Sequence, residues 1–432
     1  MTEGTARVHV VGAGLAGLAA AVRLSGAGLP VTLYEAAPRA GGRCRSYHDP
    51  VIGRTLDNGN HLLLSANRAA LAYLEEIGAS DTLISPTDGP LPFLDLAGGE
   101  TWRLTPSEGP IAWWVFQPSK RVPGTRAVDF LKAVNLRLAG PDTTVAEAVG
   151  TAEPADTRFW RPLTVAVLNA APERASARLL WTVLAETFLK GAAFCKPLIA
   201  RDSLDASLVE PAVRTLERQG TVLRHGLRLR RLACEGQRVT ALDFGSETLP
   251  LGPDDRVILA TPPAVTAELL PELRLPEGSD PIVNAHVAVP ETARLPDGAG
   301  LLGLVGGLAE WIFLRPGLAS VTVSAADRWV DRPAEDLAAR LRPEVARALS
   351  LPLNPDTPEQ LPIRIVKEKR ATFSQTPANL RLRPKPTTPL SNLLLAGDYT
   401  DTGLPATIEG AVTSGQTAAA LALQPRPERA AC

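Results

Sequence analysis

The sequence predicts an α/β protein whose parallel sheet draws strands from both ends of the chain, with an α+β region inserted into it. Three observations predict this. A β-α-β pattern fills the segment from Arg7 to Glu35. A last buried strand, Asn392 to Ala396, runs into a glycine-bearing turn and a helix from about Thr407. The 432 residues between and around them exceed what one hydrophobic core usually supports, so two domains are expected.

Taken in order, Arg7 to Val11 reads as a short buried strand. Leu15 to Leu24, rich in Ala and Leu, reads as a helix ending near Gly26 and Gly28. Val31 to Tyr34 is a second strand, closed by Glu35. From Pro86 to Pro141 the chain is rich in proline and carries Trp102, Trp113 and Trp114. Helical periodicity returns over Leu179 to Leu189 and Ala206 to Glu217. Thr221 to Leu232, Arg238 to Phe244 and Arg256 to Ala260 alternate as strands do. Asp280 to Val289 and Leu318 to Ser324 suit a second sheet, and Ala334 to Leu349 a helix. The tail from Gln424 is expected to fray. This reading assigns 1–75, 205–275 and 385–432 to one discontinuous domain, and 76–204 and 276–384 to the domain inserted in it.

Composition excludes some partners. Lys and Arg total 45 against 46 Asp and Glu, which leaves no basic surplus for the phosphates of a nucleic acid. There is no run of about eighteen or more apolar residues to span a bilayer. The N-terminus enters a strand almost at once, without an apolar core and cleavage site, so a cytoplasmic chain is expected. Cys44, Cys195, Cys234 and Cys432 are scattered and form no CxxC pair, so neither a metal site nor a disulfide framework is expected, only reduced and mostly buried thiols.

Four motifs carry chemistry. In Gly12-Ala13-Gly14-Leu15-Ala16-Gly17, the first glycine allows a tight turn, the second lets backbone approach a pyrophosphate, and the third lets helix pack on sheet. Phosphates would sit at the positive end of the helix, near Leu15 and Ala16. Glu35, about 20 positions on, is placed to accept from a ribose diol, with Ala36 beside it. Gly41-Gly42-Arg43 opens the backbone and offers a guanidinium fork to a diphosphate; its alternative is a surface turn. Asp57-Asn58-Gly59-Asn60-His61 is a polar turn whose histidine is structural or catalytic. Gly397-Asp398 follows a buried strand, and Pro405-Ala406-Thr407 leads into a helix. Asp398 could accept from a ribityl chain, and Leu229 joins the candidate cofactor set.

GGR behind a ribose-binding glutamate resembles the flavin amine oxidase and phytoene desaturase superfamily. That resemblance moves the cofactor from NAD to FAD and implies an amine-oxidase-like, Rossmann-type FAD-binding domain, discontinuous in sequence. More closely, DNGNH followed by LLLSANRAALAYLEEIGA, Ala371-Thr372-Phe373 with Gln375 and Pro377, Glu310-Trp311-Ile312-Phe313, and AGDYTDTGLPATIEGAVTSG resemble the hydroxysqualene dehydroxylases of hopanoid biosynthesis. The chain departs from that pattern at Asn60, Ser65, Leu314 and Tyr399, where the family carries glutamine, glycine, an acidic residue and tryptophan. The resemblance implies reductive dehydroxylation of a C30 polyprenoid alcohol to squalene, with electrons from an external donor. Departure of hydroxide calls for an acid, and His61, Tyr399 and Asp401 are the candidates by motif proximity. Two alternatives stand beside it: a carotenoid-type desaturase or amine oxidase, and a prenyl-lipid binding protein without redox work. Trp113-Trp114-Val115-Phe116, followed by Lys120, Arg121, Arg126, Lys132 and Arg137, suits either peripheral contact with the inner membrane or a domain core with a solvated charged face.

Overall fold

The architecture is that of a computed structural model, and it describes residues 6–87, 89–352 and 361–425. Five short strands form a wholly parallel sheet in the order Val222–Arg224, Val31–Tyr34, Val8–Val11, Arg256–Leu259, Leu393–Leu395. Two of the interior strands, Val8–Val11 and Val31–Tyr34, are buried at every residue, as a parallel sheet covered on both faces requires. On one face lie the helices Leu15–Gly26, Glu210–Arg218 and Ile408–Leu423. The first and last of these meet closely, because a Cβ on Gly415 would stand 2.0 Å from the carbonyl oxygen of Ala16. An antiparallel meander, Arg231–Glu235, Arg238–Asp243 and Thr248–Pro250, covers the other face.

Seven strands make the second sheet, ordered Ile363–Phe373, Ser279–Ala288, Leu318–Val323, Trp311–Arg315, Leu301–Val305, Leu91–Asp95, Thr101–Leu104. All pairs are antiparallel except Leu301–Val305 with Leu91–Asp95. Strand alternation sorts its residues. Val283, Ala285, Ile312, Val321 and Val323 pack under the helix Ala334–Ala348. Ile282, Asn284, Trp311, Phe313 and Thr322 face the other way, towards the parallel sheet. A helical cluster between Trp113 and Glu186 packs on the Phe93 and Trp102 end of this sheet.

Several expected elements shift. The single strand read over Thr221 to Leu232 is two: Val222–Arg224 joins the parallel sheet and Arg231–Glu235 the meander. Gly226, at φ 73°, turns the chain between them. The helix read from Leu179 to Leu189 spans Ala177–Glu186. The proline-rich stretch holds two short helices, Ala127–Leu131 and Ala133–Leu138, that periodicity did not reveal. Of the cysteines, Cys44 and Cys195 are buried, Cys234 is exposed, and Cys432 lies outside the described residues, as does the tail from residue 426 that was expected to fray.

Candidate active site

The two sheets face one another across a cavity of about 1510 Å³. A pocket for one small ligand usually measures about 300–1,000 Å³, so this one has room for a cofactor and a second molecule.

The parallel-sheet wall is built from backbone. Gly12 leaves the first strand at φ 104°, and a Cβ there would lie 2.4 Å from the carbonyl oxygen of Ala260. A Cβ on Gly17 would lie 1.8 Å from the carbonyl oxygen of Gly12. The protein's own packing therefore demands both glycines. Gly14 differs: a Cβ there would meet nothing within 4 Å, and the open space is the cavity that Gly14 lines. Its bareness serves something outside the chain, as a pyrophosphate against the helix end would require. Glu35 is fixed beside it, accepting 2.8 Å hydrogen bonds from the amides of Ala13 and Ala37, one on each oxygen. Each oxygen keeps a lone pair for a ribose hydroxyl.

The Gly41 amide donates to the Ala13 carbonyl at 2.8 Å, which ties the second motif to the first. Arg43 then reaches the opposite end of the chain: its Nη2 lies 2.8 Å from Asp398 Oδ2, and its Nη1 donates to the Ala371 carbonyl at 2.5 Å. The pair is asymmetric, with Asp398 nearly buried at 6% and Arg43 42% exposed along the cavity. The Asp398 carboxylate holds the guanidinium more firmly protonated than usual. Thr407 caps the last helix by accepting from the Gly410 amide at 3.1 Å. Asn58 donates to Glu368 at 3.1 Å. Leu15, Ala16, Ala36, Asn58, Gly59, Leu229, Gly397, Pro405, Ala406 and Thr407 all line the cavity; among the expected cofactor residues only Gly17 sits behind it.

The facing wall carries an apolar patch, Trp311, Phe313 and Ile282, and beside it a polar spot where the loop of Asn60 meets the second sheet. There Asn60 Nδ2 donates to Thr322 Oγ1 at 3.0 Å and lies 3.4 Å from Asn284 Oδ1. Thr322 in turn donates to Asn284 Oδ1 at 3.3 Å. His61 opens onto the same cavity, half-buried, and desolvation lowers its pKa from 6.5 to about 4. The ring is neutral at pH 7.

Two expected catalytic residues are elsewhere. Tyr399 is fully buried with Leu275 and Phe373, its hydroxyl 2.9 Å from Thr266 Oγ1, and burial pushes its pKa up. Gly397, at φ 144°, turns the chain so that Asp398 faces the cavity and the Tyr399 ring folds back against Gly397. Asp401 is exposed on the outer surface and lines no part of the cavity. Sequence reading missed Asn284, Thr322 and Arg383. Alternation along the strands could have marked the first two as facing away from the Val283 and Val321 core. Arg383 is buried and donates to the carbonyls of Leu404 (2.7 Å) and Asp398 (3.2 Å), bracing the turn that carries Asp398.

The family described as flavin containing amine oxidoreductase matches residues 15–423. A hydroxysqualene dehydroxylase of Sinorhizobium fredii is 46% identical over 96% of this chain and 98% of its own length. The chain belongs to the flavin amine oxidoreductases, in the branch of the hydroxysqualene dehydroxylases. A second member of that branch, from Rhodopseudomonas palustris, is also 46% identical over 96% of this chain and 98% of its own. Cyclohexylamine oxidase from Brevibacterium oxydans shares the fold alone, at TM-score 0.69 and 15% identity over 97% of this chain and 99% of that one. As in the family, the cofactor is FAD, which the open face at Gly14 and the charged Arg43 fit.

Proposed function

We propose that the protein is an FAD-dependent oxidoreductase that removes the hydroxyl of hydroxysqualene reductively, giving squalene. One observation carries this reading: a dinucleotide wall and a facing wall with an apolar patch beside the Asn60–Thr322–Asn284 polar spot share one cavity large enough for both ligands. The relatives that match over nearly the whole chain bear the name of that reaction.

The segments 1–75, 205–275 and 385–432 hold the cofactor, and 76–204 with 276–384 hold the substrate. The amides at Gly14 and the helix start receive the pyrophosphate, Glu35 the adenosine ribose, and Arg43 with Asp398 the diphosphate and ribityl region. Bound and reduced, FAD supplies a hydride. Where the loop of Asn60, from the cofactor-side segment 1–75, meets the facing wall, Asn60 and Thr322 hold the hydroxyl that leaves, and neutral His61 of the same loop hydrogen-bonds beside them. Trp311, Phe313 and Ile282 exclude the water that would recapture an allylic cation. Electrons come from an external donor. The polyprenoid comes from the cytoplasmic membrane, on which the chain works as a peripheral protein; among the described residues no helix is long and apolar enough to cross it.

The test is anaerobic incubation of the flavin-reduced protein with hydroxysqualene, followed by lipid analysis. Squalene should form in step with flavin oxidation. No squalene from fully loaded, reduced protein, or squalene formed while flavin stays oxidised, rejects the reading.

A further inference from the structure

Eleven large hydrophobic side chains are exposed among the described residues, and seven lie between Ile111 and Leu138. Ile111, Trp113 and Phe116 belong to one turn, with Trp113 57% exposed. Val128, Leu131, Val134 and Leu138 belong to the two short helices that follow, with Leu138 75% exposed. Their spacing of three, three and four residues puts them on one helical stripe. The buried partners Phe130 and Leu136 point inward. Trp114, stacked edge-on against Phe130 at 4.8 Å, ties the turn to the first helix. The tryptophan run divides: Trp114 and Val115 are core, while Trp113 and Phe116 are exposed.

Charge decides the occupant. Within the same segment stand Lys120, Arg121, Arg126, Lys132 and Arg137 against one acid, Asp129, which is buried and accepts from the Arg126 amide at 2.8 Å. Exposed aromatic and aliphatic side chains ringed by cations are complementary to a surface of acyl chains beneath anionic headgroups. A folded protein partner would have to supply acids around an apolar centre; a bilayer supplies both everywhere.

We infer that the face formed by residues 111–138 docks on an anionic phospholipid bilayer. This deepens the proposed function, because it says where the polyprenoid enters. Helix Ala177–Glu186 lies next to that face: Trp181 packs towards it, with Arg137 6.0 Å from its ring, while Thr182, Val183 and Glu186 line the cavity. One helix, about 10–12 Å across, separates the bilayer side from the site.

The experiment is flotation of the full-length, FAD-loaded protein with vesicles of phosphatidylcholine alone or with phosphatidylglycerol. Two variants accompany it: Trp113→Ser/Phe116→Ser/Leu131→Ser/Leu138→Ser, and Lys120→Gln/Lys132→Gln. None of these residues lines the cavity, and flavin absorbance with a melting curve checks folding. The wild type should float with phosphatidylglycerol vesicles. The apolar variant should lose at least about tenfold in partitioning to them. The lysine variant should lose roughly fivefold per charge on anionic vesicles and nothing on neutral ones. A wild type that stays unbound, or variants that float equally well, overturns the inference. So does a concentration-dependent dimer that the apolar variant abolishes, which would give the face to a second copy. Flotation involves no turnover, so its failure leaves the proposed reaction standing, and a failed squalene assay leaves the docking result standing.

Discussion

The two walls of the cavity are built on opposite principles. The parallel-sheet wall works through backbone: positive-φ glycines, a helix end and a carboxylate already bound to two amides. Its tolerances are set by fractions of an ångström, and a methyl group in the wrong place abolishes it. The inserted wall works through side chains. Asn60, Asn284 and Thr322 come from three segments and meet only because a loop and two strands stack there. That wall can change its chemistry one side chain at a time while the fold stays intact. A rigid backbone wall facing an adjustable side-chain surface is an arrangement by which one fold can carry different chemistries.

The largest effect should separate the glycines of a single motif. Gly17→Ala forces a methyl group to 1.8 Å from the Gly12 carbonyl oxygen, and overpacking of that kind costs ~1–3 kcal/mol or more. The FAD-free protein should melt early or fail to fold. Gly14→Ala places its methyl in open space. Its FAD-free melting temperature should match wild type, while FAD affinity falls by about tenfold or more, about 1.4 kcal/mol. Equal melting of the two FAD-free variants would break the distinction between packing glycine and ligand glycine.

Next comes Glu35→Ala. It strands the amides of Ala13 and Ala37 as well as the ribose hydroxyls, at about 1–3 kcal/mol for each buried group left unpaired. It should therefore weaken both the FAD-free fold and FAD binding. Arg43→Lys keeps a charge near Asp398 and should lose less on both counts. Calorimetry on the FAD-free variants and FAD titration give the order, and a reversed order would shift the anchor of the cofactor from Glu35 to Arg43.

A smaller effect is expected at the polar spot, where the Asn60 loop meets the facing wall. Asn60→Leu removes a donor to Thr322 and one member of the polar spot, and leaves the parallel sheet untouched. FAD binding should stay at the wild-type level while turnover of the alcohol drops about tenfold, the scale of one hydrogen bond. A loss of FAD affinity in this variant would mean that the two walls are not independent.

The same contrast explains what the sequence disclosed. Gly12, Gly14, Gly17 and Glu35 are legible because one short βαβ unit needs all of them at fixed spacing, and local geometry dictates the residue type. The pairing of Arg43 with Asp398 is not, since tertiary packing alone joins the two ends of the chain. Motif proximity placed Tyr399 and Asp401 near the flavin, yet a motif does not give side-chain direction; one turn at Gly397 sends Tyr399 into the core. Tyr399, one position where the chain departs from the pattern it resembles, packs beside Thr266, away from the cavity. Asn60, another position where the chain departs from the pattern it resembles, is part of the polar spot. The helices at 127–138 escaped because five- and six-residue pieces carry too little periodicity to detect.

The smallest effect is a pH dependence of stability, and it needs difference curves to be seen. His61 and His286 are both pushed down to about 4 by burial. For His286 the geometry fixes the neutral tautomer: Nε2 faces the Asp57 carbonyl at 3.0 Å and must donate, so Nδ1 accepts from Ser320 at 2.8 Å. Between pH 6.5 and 4 the unfolded chain binds protons at these rings that the folded chain refuses, so stability falls as pH drops. At pH 6 the loss is about 1 kcal/mol or less for each ring. Glu310 has the opposite sign. Burial pushes it up to about 7, so the folded chain keeps a proton that the unfolded chain releases above 4.5, and stability falls as pH rises. The opposing slopes flatten the wild-type profile around pH 5–7. Subtracting variants separates them. The deficit of His286→Gln relative to wild type should shrink as pH falls from 6.5 to 5, because only the wild type then carries the cost of keeping that ring neutral. Glu310→Gln should gain on wild type as pH rises from 5 to 7.5. Thermal melts of both variants and the wild type across that range test this, and difference curves that run parallel would show that neither group titrates as its burial demands.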